Sequence, residues 1–262
     1  MTAPLVVLGA GGRLGRLLAP AWPADAVQYT RTDLDIFDTA ALTSALRGSR
    51  AVLCLAGVTN GSDRPMAMNV TLAERTLDAA IRAQCGPVFL MSSAAVYGRQ
   101  SGRLSEETVP APLSDYGQSK VAMERMAAKH AHPCITLRLG NVAGADAILG
   151  GWRPGFALDV LDGGNTPERS YIGPRRLARV LGTLSRLADL PPCLNIAAPG
   201  TVAMGEMLDA AGLGWTPRRP DDTVIGKVSL DTTRVSTFID WHPEDSTAVA
   251  MVREWKELTA RI

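Results

Sequence analysis

The chain of 262 residues is long enough for one large α/β domain, or for a nucleotide-binding domain with a small second lobe. Hydrophobic residues make up 46% of it and charged residues 20%, which excludes a disordered or collagen-like protein. Because 27 basic side chains balance 26 acidic ones, for a formal net charge of +1, we do not expect nucleic acid as a partner.

The cysteines, the histidines and the N-terminus exclude further classes of protein. Cys54, Cys85, Cys134 and Cys193 lie far apart without a C-x-x-C spacing, and no histidine forms a ligand spacing with them. We therefore expect buried thiols and no metal site. The chain begins without the basic start of a signal peptide, and no apolar run approaches the length of a membrane span. The expectation is a cytoplasmic protein without a membrane partner.

Short apolar runs alternate with segments of helical periodicity through the first half of the chain. The predicted strands are residues 5–8, 27–30, 51–56, 87–92 and 134–139, and the predicted helices are residues 13–19, 39–46, about 66–83 and about 116–130. Strands rich in Val, Leu and Ile, each followed by a helix-length segment, predict right-handed crossovers and a doubly wound parallel sheet. The expected fold class is α/β, of the Rossmann type that binds dinucleotides.

Glycine and proline interrupt this pattern beyond residue 140, where loops and short elements are expected. A helix is predicted from Pro174, a further strand at 194–197, a helix near 204–211, an extended stretch near 224–230 and a C-terminal helix. We assign residues 1–140 with about 174–198 to the dinucleotide-binding domain. About 141–173 with 199–262 are assigned to a small C-terminal substrate-binding lobe.

A glycine-rich turn joins the first predicted strand to the first predicted helix. It reads Gly9-Ala10-Gly11-Gly12-Arg13-Leu14-Gly15, in the form G-x-x-G-x-x-G. Glycine lets the backbone approach a pyrophosphate without a Cβ in the way, while free N–H groups at the helix start attract negative charge. The alternative is a simple helix-entry turn, but the position between strand and helix favours a dinucleotide site.

The end of the second predicted strand bears on which dinucleotide is bound. NAD-binding folds place a carboxylate about 20 residues after the glycines, on the ribose 2′-hydroxyl. Here the strand ends in Thr30, followed by Arg31. A neutral side chain and a guanidinium suit a 2′-phosphate, which a carboxylate would repel. Asp33 is a rival ribose ligand, so NADP is favoured over NAD without excluding it.

Two further segments complete a recognisable set. Residues 91–98 read M-S-S-A-A-V-Y-G after the fourth predicted strand, and residues 115–120 read D-Y-G-Q-S-K at the start of the next helix. With the glycine turn, they resemble the S-S-x-x-V-Y-G and Y-x-x-x-K motifs of extended short-chain dehydrogenases/reductases, the NAD-dependent epimerase/dehydratase family. That family contains nucleotide-sugar epimerases, dehydratases and reductases. The resemblance extends from residue 5 to about residue 144.

The resemblance implies a set of ligand contacts. The implied cofactor residues are Gly9, Gly11, Gly12, Arg13, Leu14, Gly15, Thr30, Arg31, Asp35, Ile36, Leu55, Ala56, Gly57, Asn69, Tyr116 and Lys120. Asn141 and Arg169 match positions that hold the diphosphate of a nucleotide sugar. Alternatively, Asn141 caps local backbone and Arg169 pairs with Glu168 or Asp162. Family members often pair through two long helices, which leaves a homodimer as a candidate assembly.

The predicted chemistry depends on three side chains. Tyr116 and Lys120 lie one helical turn apart, so the ammonium can approach the phenol. A neighbouring cation and an oxidised nicotinamide favour the phenolate of a tyrosine whose ordinary pKa is about 10. Tyr116 can then exchange a proton with the substrate oxygen while hydride passes to or from the nicotinamide. The resemblance implies that Ser93 hydrogen-bonds the same oxygen, and that Lys120 also reaches the nicotinamide ribose.

Departures from the family pattern leave the function open. Ala94 and Ala95 stand where the dehydratases carry an Asp-Glu pair, so dehydration is not expected. The first hypothesis is an NAD(P)-dependent epimerase or reductase that acts on a sugar or nucleotide sugar. The second is a dehydrogenase of a compact substrate, such as a uronate or a small hydroxy compound, which suits the short lobe. The third is a dinucleotide-sensing protein without turnover, against which the intact Ser93, Tyr116 and Lys120 argue.

Overall fold

The secondary structure follows the alternation of apolar runs and helical segments in the sequence. The computed structural model describes residues 3–59 and 61–260. The strands in these ranges are β1 (Leu5–Leu8), β2 (Ala26–Tyr29), β3 (Ala51–Cys54), β4 (Val88–Ser93), β5 (Arg103–Leu104), β6 (Cys134–Leu139), β7 (Asn141–Val142), β8 (Ala157–Asp159), β9 (Glu168–Arg169), β10 (Tyr171–Ile172), β11 (Cys193–Ile196), β12 (Val202–Ala203), β13 (Thr216–Arg218) and β14 (Lys227–Leu230). The α-helices are α1 (Arg13–Leu18), α2 (Thr39–Leu46), α3 (Met68–Ala83), α4 (Asp115–Ala127), α5 (Pro174–Leu184), α6 (Met204–Ala211), α7 (Thr233–Ser236) and α8 (Ala248–Thr259).

One parallel sheet organises the molecule, with the strand order β11-β6-β4-β3-β1-β2. Every neighbouring pair in it is parallel. The chain runs from β1 outward to β2 and then returns past β1 to β3, so the order reverses between β1 and β3. This arrangement confirms the predicted doubly wound α/β fold. In such sheets ligands bind beyond the carboxyl ends of the strands at the reversal point.

Helices cover both faces of this sheet, which explains why its strands are apolar without alternation. In β1, Leu5 and Val7 pack into one core cluster together with residues of α1 and α5. Val6 and Leu8, which point to the opposite face, pack into a second cluster with residues of α2 and α3. Both faces of the strand are therefore buried. Within the described residues, no helix combines the length and the apolar character needed to cross a bilayer.

The short strands build small sheets beyond the carboxyl edge of the large one. They pair as β7 with β10, as β8 with β13, and in the order β12-β9-β14-β5. A separate core cluster, with Leu158, Tyr171 and Met207 among its members, fills this part of the molecule. Helix α8 contributes to both regions, because Met251 belongs to this cluster and Leu258 to the core under the large sheet. Helix α8 thus packs in both of these regions, and the division of the chain into two domains stays a prediction.

Candidate active site

The glycine turn lies at the carboxyl end of β1, against the end of β3. Gly9 has a φ of +81°, and a Cβ at this position would lie 2.5 Å from the backbone nitrogen of Ala56. At Gly15, a Cβ would lie 2.5 Å from the carbonyl oxygen of Ala10. These two glycines are required because the first turn of α1 and the end of β3 both approach the loop too closely for a side chain.

A cavity of about 510 Å³ runs along this edge, between the glycine turn and the loops after β2 and β3. Its volume is typical of a small-molecule or cofactor site. The predicted cofactor residues in its lining are Gly9, Gly11, Gly12, Thr30, Arg31, Asp35, Ile36, Leu55, Ala56 and Gly57. The structure therefore brings together segments that are separated by up to about fifty residues in the sequence.

The other predicted cofactor residues lie behind or beside the cavity lining. Leu14 packs against the core, Gly15 is buried in α1, and the exposed Arg13 donates to the carbonyl oxygen of Ala145 at 3.4 Å. Asn69 is 2% exposed. Its amide group bonds both backbone groups of Val58 and the hydroxyl of Ser119, at 2.8 to 3.0 Å. In the structure these residues pack against or hydrogen-bond to neighbouring segments of the protein. Their direct contact with the cofactor stays a prediction.

The part of the loop after β3 that lies beyond Gly57 also lines the cavity, although none of its residues was among the predicted cofactor contacts. Ser62 and Arg64 line the cavity, and the Ser62 hydroxyl accepts a hydrogen bond from the Arg64 N–H at 3.2 Å. Among the described residues, neither Arg31 nor Arg64 forms an ion pair. The available signal was a serine and an arginine shortly after the L-A-G segment that ends the third predicted strand.

Asp33 is already engaged within the turn after β2. The N–H and the hydroxyl of Thr30 donate to its carboxylate at 2.8 and 2.6 Å. These hydrogen bonds from Thr30 lower the pKa of Asp33. The carboxylate that belongs to the cavity lining is Asp35, which accepts a hydrogen bond from the Phe37 N–H at 3.0 Å.

The three predicted catalytic residues converge at the ends of β4 and α4. Ser93 is the last residue of β4, and α4 begins at Asp115 behind Ser114, whose hydroxyl caps the helix by accepting from the Gly117 N–H at 3.1 Å. Burial raises the pKa of Tyr116, and a polar interaction with the Ser93 hydroxyl opposes this rise. The Lys120 Nζ lies 5.7 Å from the centre of the Tyr116 ring. Serine, phenol and ammonium are therefore neighbours, as the motifs predicted.

Lys120 is a buried cation that borders the cavity. It is 5% exposed, and its Nζ donates to the carbonyl oxygen of Met91 at 2.8 Å. Burial lowers the pKa of Lys120 to about 8, while Cys54 and Glu124 act in the opposite direction. A Cβ on Gly57, which lines the cavity, would lie 3.5 Å from the Lys120 Nζ. The cavity thus ends beside the Lys120 ammonium.

Asn141 follows β6 and faces the small lobe. Its backbone N–H donates to the carbonyl oxygen of Ser170 at 2.9 Å, and its side chain interacts with the Tyr171 hydroxyl. That hydroxyl donates to the carboxylate of Asp146 at 2.9 Å. The Asn141 side chain therefore belongs to a polar cluster of the small lobe, whereas the alternative placed it on local backbone.

Arg169 is a half-buried guanidinium in β9. It donates to the carbonyl oxygen of Glu168 at 2.7 Å, and burial lowers its pKa. The carboxylate of Glu168 instead accepts from Lys227 at 2.7 Å and from Thr201 at 2.6 Å. The alternative pairing of Arg169 with Glu168 or Asp162 is therefore wrong for the described part of the chain.

Comparison with known proteins identifies a family and several similar solved structures. Residues 5–166 match the family described as the NAD dependent epimerase/dehydratase family. No curated protein matches the chain. Similar solved structures include MoeE5 in complex with UDP-glucuronic acid and NAD, with 21% identity, a TM-score of 0.72, and coverage of 98% of this chain and 100% of that chain.

Two others are a UDP-glucuronic acid 4-epimerase from Bacillus cereus and the NDP-hexosamine 5,6-dehydratase TunA. The epimerase is 17% identical with a TM-score of 0.75, over 99% of this chain and 100% of that chain. TunA is 17% identical with a TM-score of 0.78, over 99% and 98%. At these identities the likeness supports the fold, whereas the family match spans more than half of the chain. The chain belongs to the NAD-dependent epimerase/dehydratase family.

Proposed function

We propose that this enzyme is an NAD(P)-dependent epimerase or oxidoreductase that transfers hydride at a secondary alcohol or ketone of a nucleotide sugar. The observation that carries the proposal is that Ser93, Tyr116 and Lys120 are neighbours, with the Lys120 ammonium beside Gly57 of the cavity that the glycine turn borders. A protein that only senses the dinucleotide would have no need for a buried lysine beside a tyrosine.

The lining fits a dinucleotide cofactor. A Cβ at Gly9 would collide with the Ala56 backbone, so the turn presents bare backbone to the cavity. The residues that would hold the cofactor are those of the glycine turn, Thr30 and Arg31 at the adenosine ribose, and Asp35 and Ile36 at the adenine. When bound, the nicotinamide supplies hydride chemistry.

The chain's own side chains supply proton transfer and orientation. Tyr116 exchanges the proton of the substrate oxygen through its phenolic oxygen. Ser93 donates a hydrogen bond to that oxygen, and the Lys120 ammonium stabilises the phenolate by its charge. Because Ala94 and Ala95 carry no acid or base beside Ser93, this set supports redox chemistry and epimerisation more than dehydration.

The nucleotide-sugar substrate is supported by the small lobe. Arg169 is half-buried without a carboxylate partner among the described residues, and such a guanidinium favours an anionic ligand, because phosphate oxygens can bind it bidentately. Asn141 adds a neutral amide donor. UDP-glucuronic acid bound to MoeE5 is an example of such a ligand on a similar fold.

Replacing Arg169 with alanine should weaken UDP or dTDP binding about 10- to 150-fold, which corresponds to roughly 1.5 to 3 kcal/mol for a charge-assisted hydrogen bond. Competition of these nucleotides with the substrate, or calorimetry, measures the effect. Arg253→Ala, which removes an exposed arginine of α8, is the matched control and should leave the affinity unchanged. If nucleoside diphosphates neither inhibit nor stabilise the protein at millimolar concentration, the compact-substrate dehydrogenase replaces this proposal.

NADP(H) should bind better than NAD(H). Two arginines, Arg31 and Arg64, line the cavity and can pair with a 2′-phosphate, whereas its described lining contains one carboxylate, that of Asp35, to repel it. Arg31→Ala should weaken NADP(H) by about tenfold or more and NAD(H) by less than about twofold. Titrations of nicotinamide fluorescence measure both affinities. MoeE5 and the Bacillus cereus epimerase were crystallised with NAD, and an equal loss for both cofactors would show that Arg31 does not contact a 2′-phosphate.

Two simple measurements test the function as a whole. An epimerase usually retains its cofactor through the cycle, so the absorbance spectrum of the purified protein separates it from a reductase. A screen of nucleotide sugars, uronates and short hydroxy acids with NAD(H) and NADP(H), followed by nicotinamide absorbance, then identifies the substrate class. Absence of turnover with every class would contradict the proposal.

A further inference from the structure

A buried ion pair lies directly behind the catalytic residues. Glu124, one turn after Lys120 on α4, accepts from Arg138 of β6 through Nη2 at 2.8 Å and Nε at 3.1 Å. The two side chains are only 7% exposed for Arg138 and 11% exposed for Glu124. Burying two charges is costly, so a pair at this position needs a reason other than stability.

Glu124 also contacts the strand that carries the catalytic serine. The hydroxyl of Ser92 donates to the Glu124 carboxylate in a short hydrogen bond. Ser92 directly precedes Ser93 in β4. The ion pair is therefore attached to the strand end that forms the active site.

Three residues of α4 contact three consecutive residues at the end of β4. Lys120 bonds the carbonyl oxygen of Met91, Glu124 bonds Ser92, and Tyr116 interacts with Ser93. Met91, Ser92 and Ser93 are consecutive in β4. The helix residues are spaced by four, so they share one face of α4. Glu124 is the one of these three helix residues that lies farthest from the expected position of the substrate.

Arg138 is anchored on its other side. Its Nη1 donates to the Tyr97 hydroxyl and to the carbonyl oxygen of Glu106, both at 3.1 Å. The Tyr97 hydroxyl in turn donates to Asn195 of β11 at 2.7 Å. The carboxylate of Glu124 is thus held by the sheet, and the helix cannot slide along β4 without breaking a buried hydrogen bond.

We propose that Glu124 is a positioning residue of the reaction, which sets the register of α4 on β4 and thereby brings Tyr116 to Ser93 and Lys120 to Met91. This inference rests on the proposed function, because it concerns the same three catalytic side chains. Its charge has a second effect, since Glu124 and Cys54 of β3 both raise the pKa of Lys120 against the effect of burial. Tyr116 on the same helix is the other titratable group beside the ammonium.

Two variants separate the position of the helix from the charge. Glu124→Gln keeps the shape of the side chain and removes the negative charge, so the pKa of Lys120 should fall below about 8. The ammonium is then lost at lower pH, and the alkaline limb of kcat should move to lower pH. We expect kcat to fall about tenfold or more with KM within about twofold. Ser92→Ala removes the hydrogen bond between β4 and Glu124 and keeps the negative charge of Glu124. We therefore expect kcat to fall several-fold while the alkaline limb of its pH profile stays in place.

Tyr97→Phe is the control for a purely structural role. It removes a hydroxyl from the far side of Arg138, which should lower the unfolding temperature. We expect its kcat to stay within about twofold and its alkaline limb to stay in place. If Tyr97→Phe moves the limb as Glu124→Gln does, or if Glu124→Gln and Ser92→Ala leave kcat unchanged, the positioning role is overturned.

A titration without substrate keeps this test independent of the proposed function. NMR of protein labelled with ¹⁵N-lysine reports the protonation state of the ammonium groups, and comparison with the Lys120→Met protein isolates Lys120 from the other three lysines. Lys120 should lose its proton at lower pH in Glu124→Gln than in the wild type, because Glu124 raises the pKa of Lys120. If no nucleotide sugar is turned over but this shift is found, only the substrate proposal fails. An unchanged titration overturns the inference about Glu124 even when turnover is confirmed.

Discussion

Replacing Tyr116 with phenylalanine should lower turnover by roughly 10² to 10⁴, the usual effect of removing a general acid or base. The ring that packs in the site is retained, and only the hydroxyl that interacts with Ser93 is lost. We therefore expect the unfolding temperature and the cofactor affinity to stay close to those of the wild type. Steady-state kinetics, thermal unfolding and a nicotinamide titration measure the three quantities.

Tyr97→Phe is the matched control for this experiment, because it removes a tyrosine hydroxyl that lies in the buried network behind the site. Its turnover should change by less than about twofold. A Tyr116→Phe protein with wild-type turnover would remove Tyr116 from the mechanism and would favour a dinucleotide-binding role without proton transfer.

Replacing Lys120 with methionine should have opposite effects on activity and stability. Turnover should fall by roughly 10² or more, because the phenolate of Tyr116 loses its neighbouring cation. The free energy of unfolding at pH 7 should rise by about 1 to 3 kcal/mol. Burial lowers the pKa of Lys120 from 10.5 to about 8, and a shift of this size corresponds to a cost of about 3 kcal/mol for holding the ammonium in the folded protein. Loss of the hydrogen bond to Met91 offsets part of the gain.

The pH dependence of this stability difference checks its origin. Because the pKa of Lys120 is lower in the folded than in the unfolded state, the cost is fully present below pH about 8 and disappears as the pH rises to about 10.5. Urea unfolding at pH 7 and at pH 10 should therefore show the advantage of Lys120→Met shrinking. The buried-cation interpretation would be contradicted if Lys120→Met were less stable than the wild type at pH 7. It would also be contradicted if the stability difference between the two proteins were the same at pH 7 and at pH 10.

The kinetic and the unfolding experiments on Lys120→Met test whether the buried ammonium lowers the stability of the fold while it supports turnover. Lys120 is a charged side chain that is only 5% exposed, and on our proposal it serves the reaction through its charge. The structure keeps it beside Tyr116 through its bond to Met91 and, on our proposal, through the register that Glu124 sets.

Local sequence signals were sufficient to predict the large sheet and the proximity of Ser93, Tyr116 and Lys120. Apolar runs and helical periodicity are short-range properties, so β1, β4 and α4 are found within three residues of the expected bounds. The predicted third strand ended two residues late, because residues 55–57 leave the sheet to line the cavity. The short strands β7 to β10 carry too few residues for any periodicity, so they were expected only as loops and short elements.

Contacts between residues far apart in the chain were decided by the tertiary structure alone. Arg64 lines the same cavity as the glycine turn, although about fifty residues separate them in the chain. Glu168 binds Lys227, 59 residues away, and so leaves Arg169 without a carboxylate. The sequence by itself determined that a glycine turn, a tyrosine and a lysine lie at the carboxyl edge of a parallel sheet. The glycine turn follows the first strand directly, and the helical period places the tyrosine and the lysine on one face of the helix after the fourth strand. The burial that lowers the pKa of Lys120 and the charges that surround it depend on packing among distant segments, which no local pattern encodes.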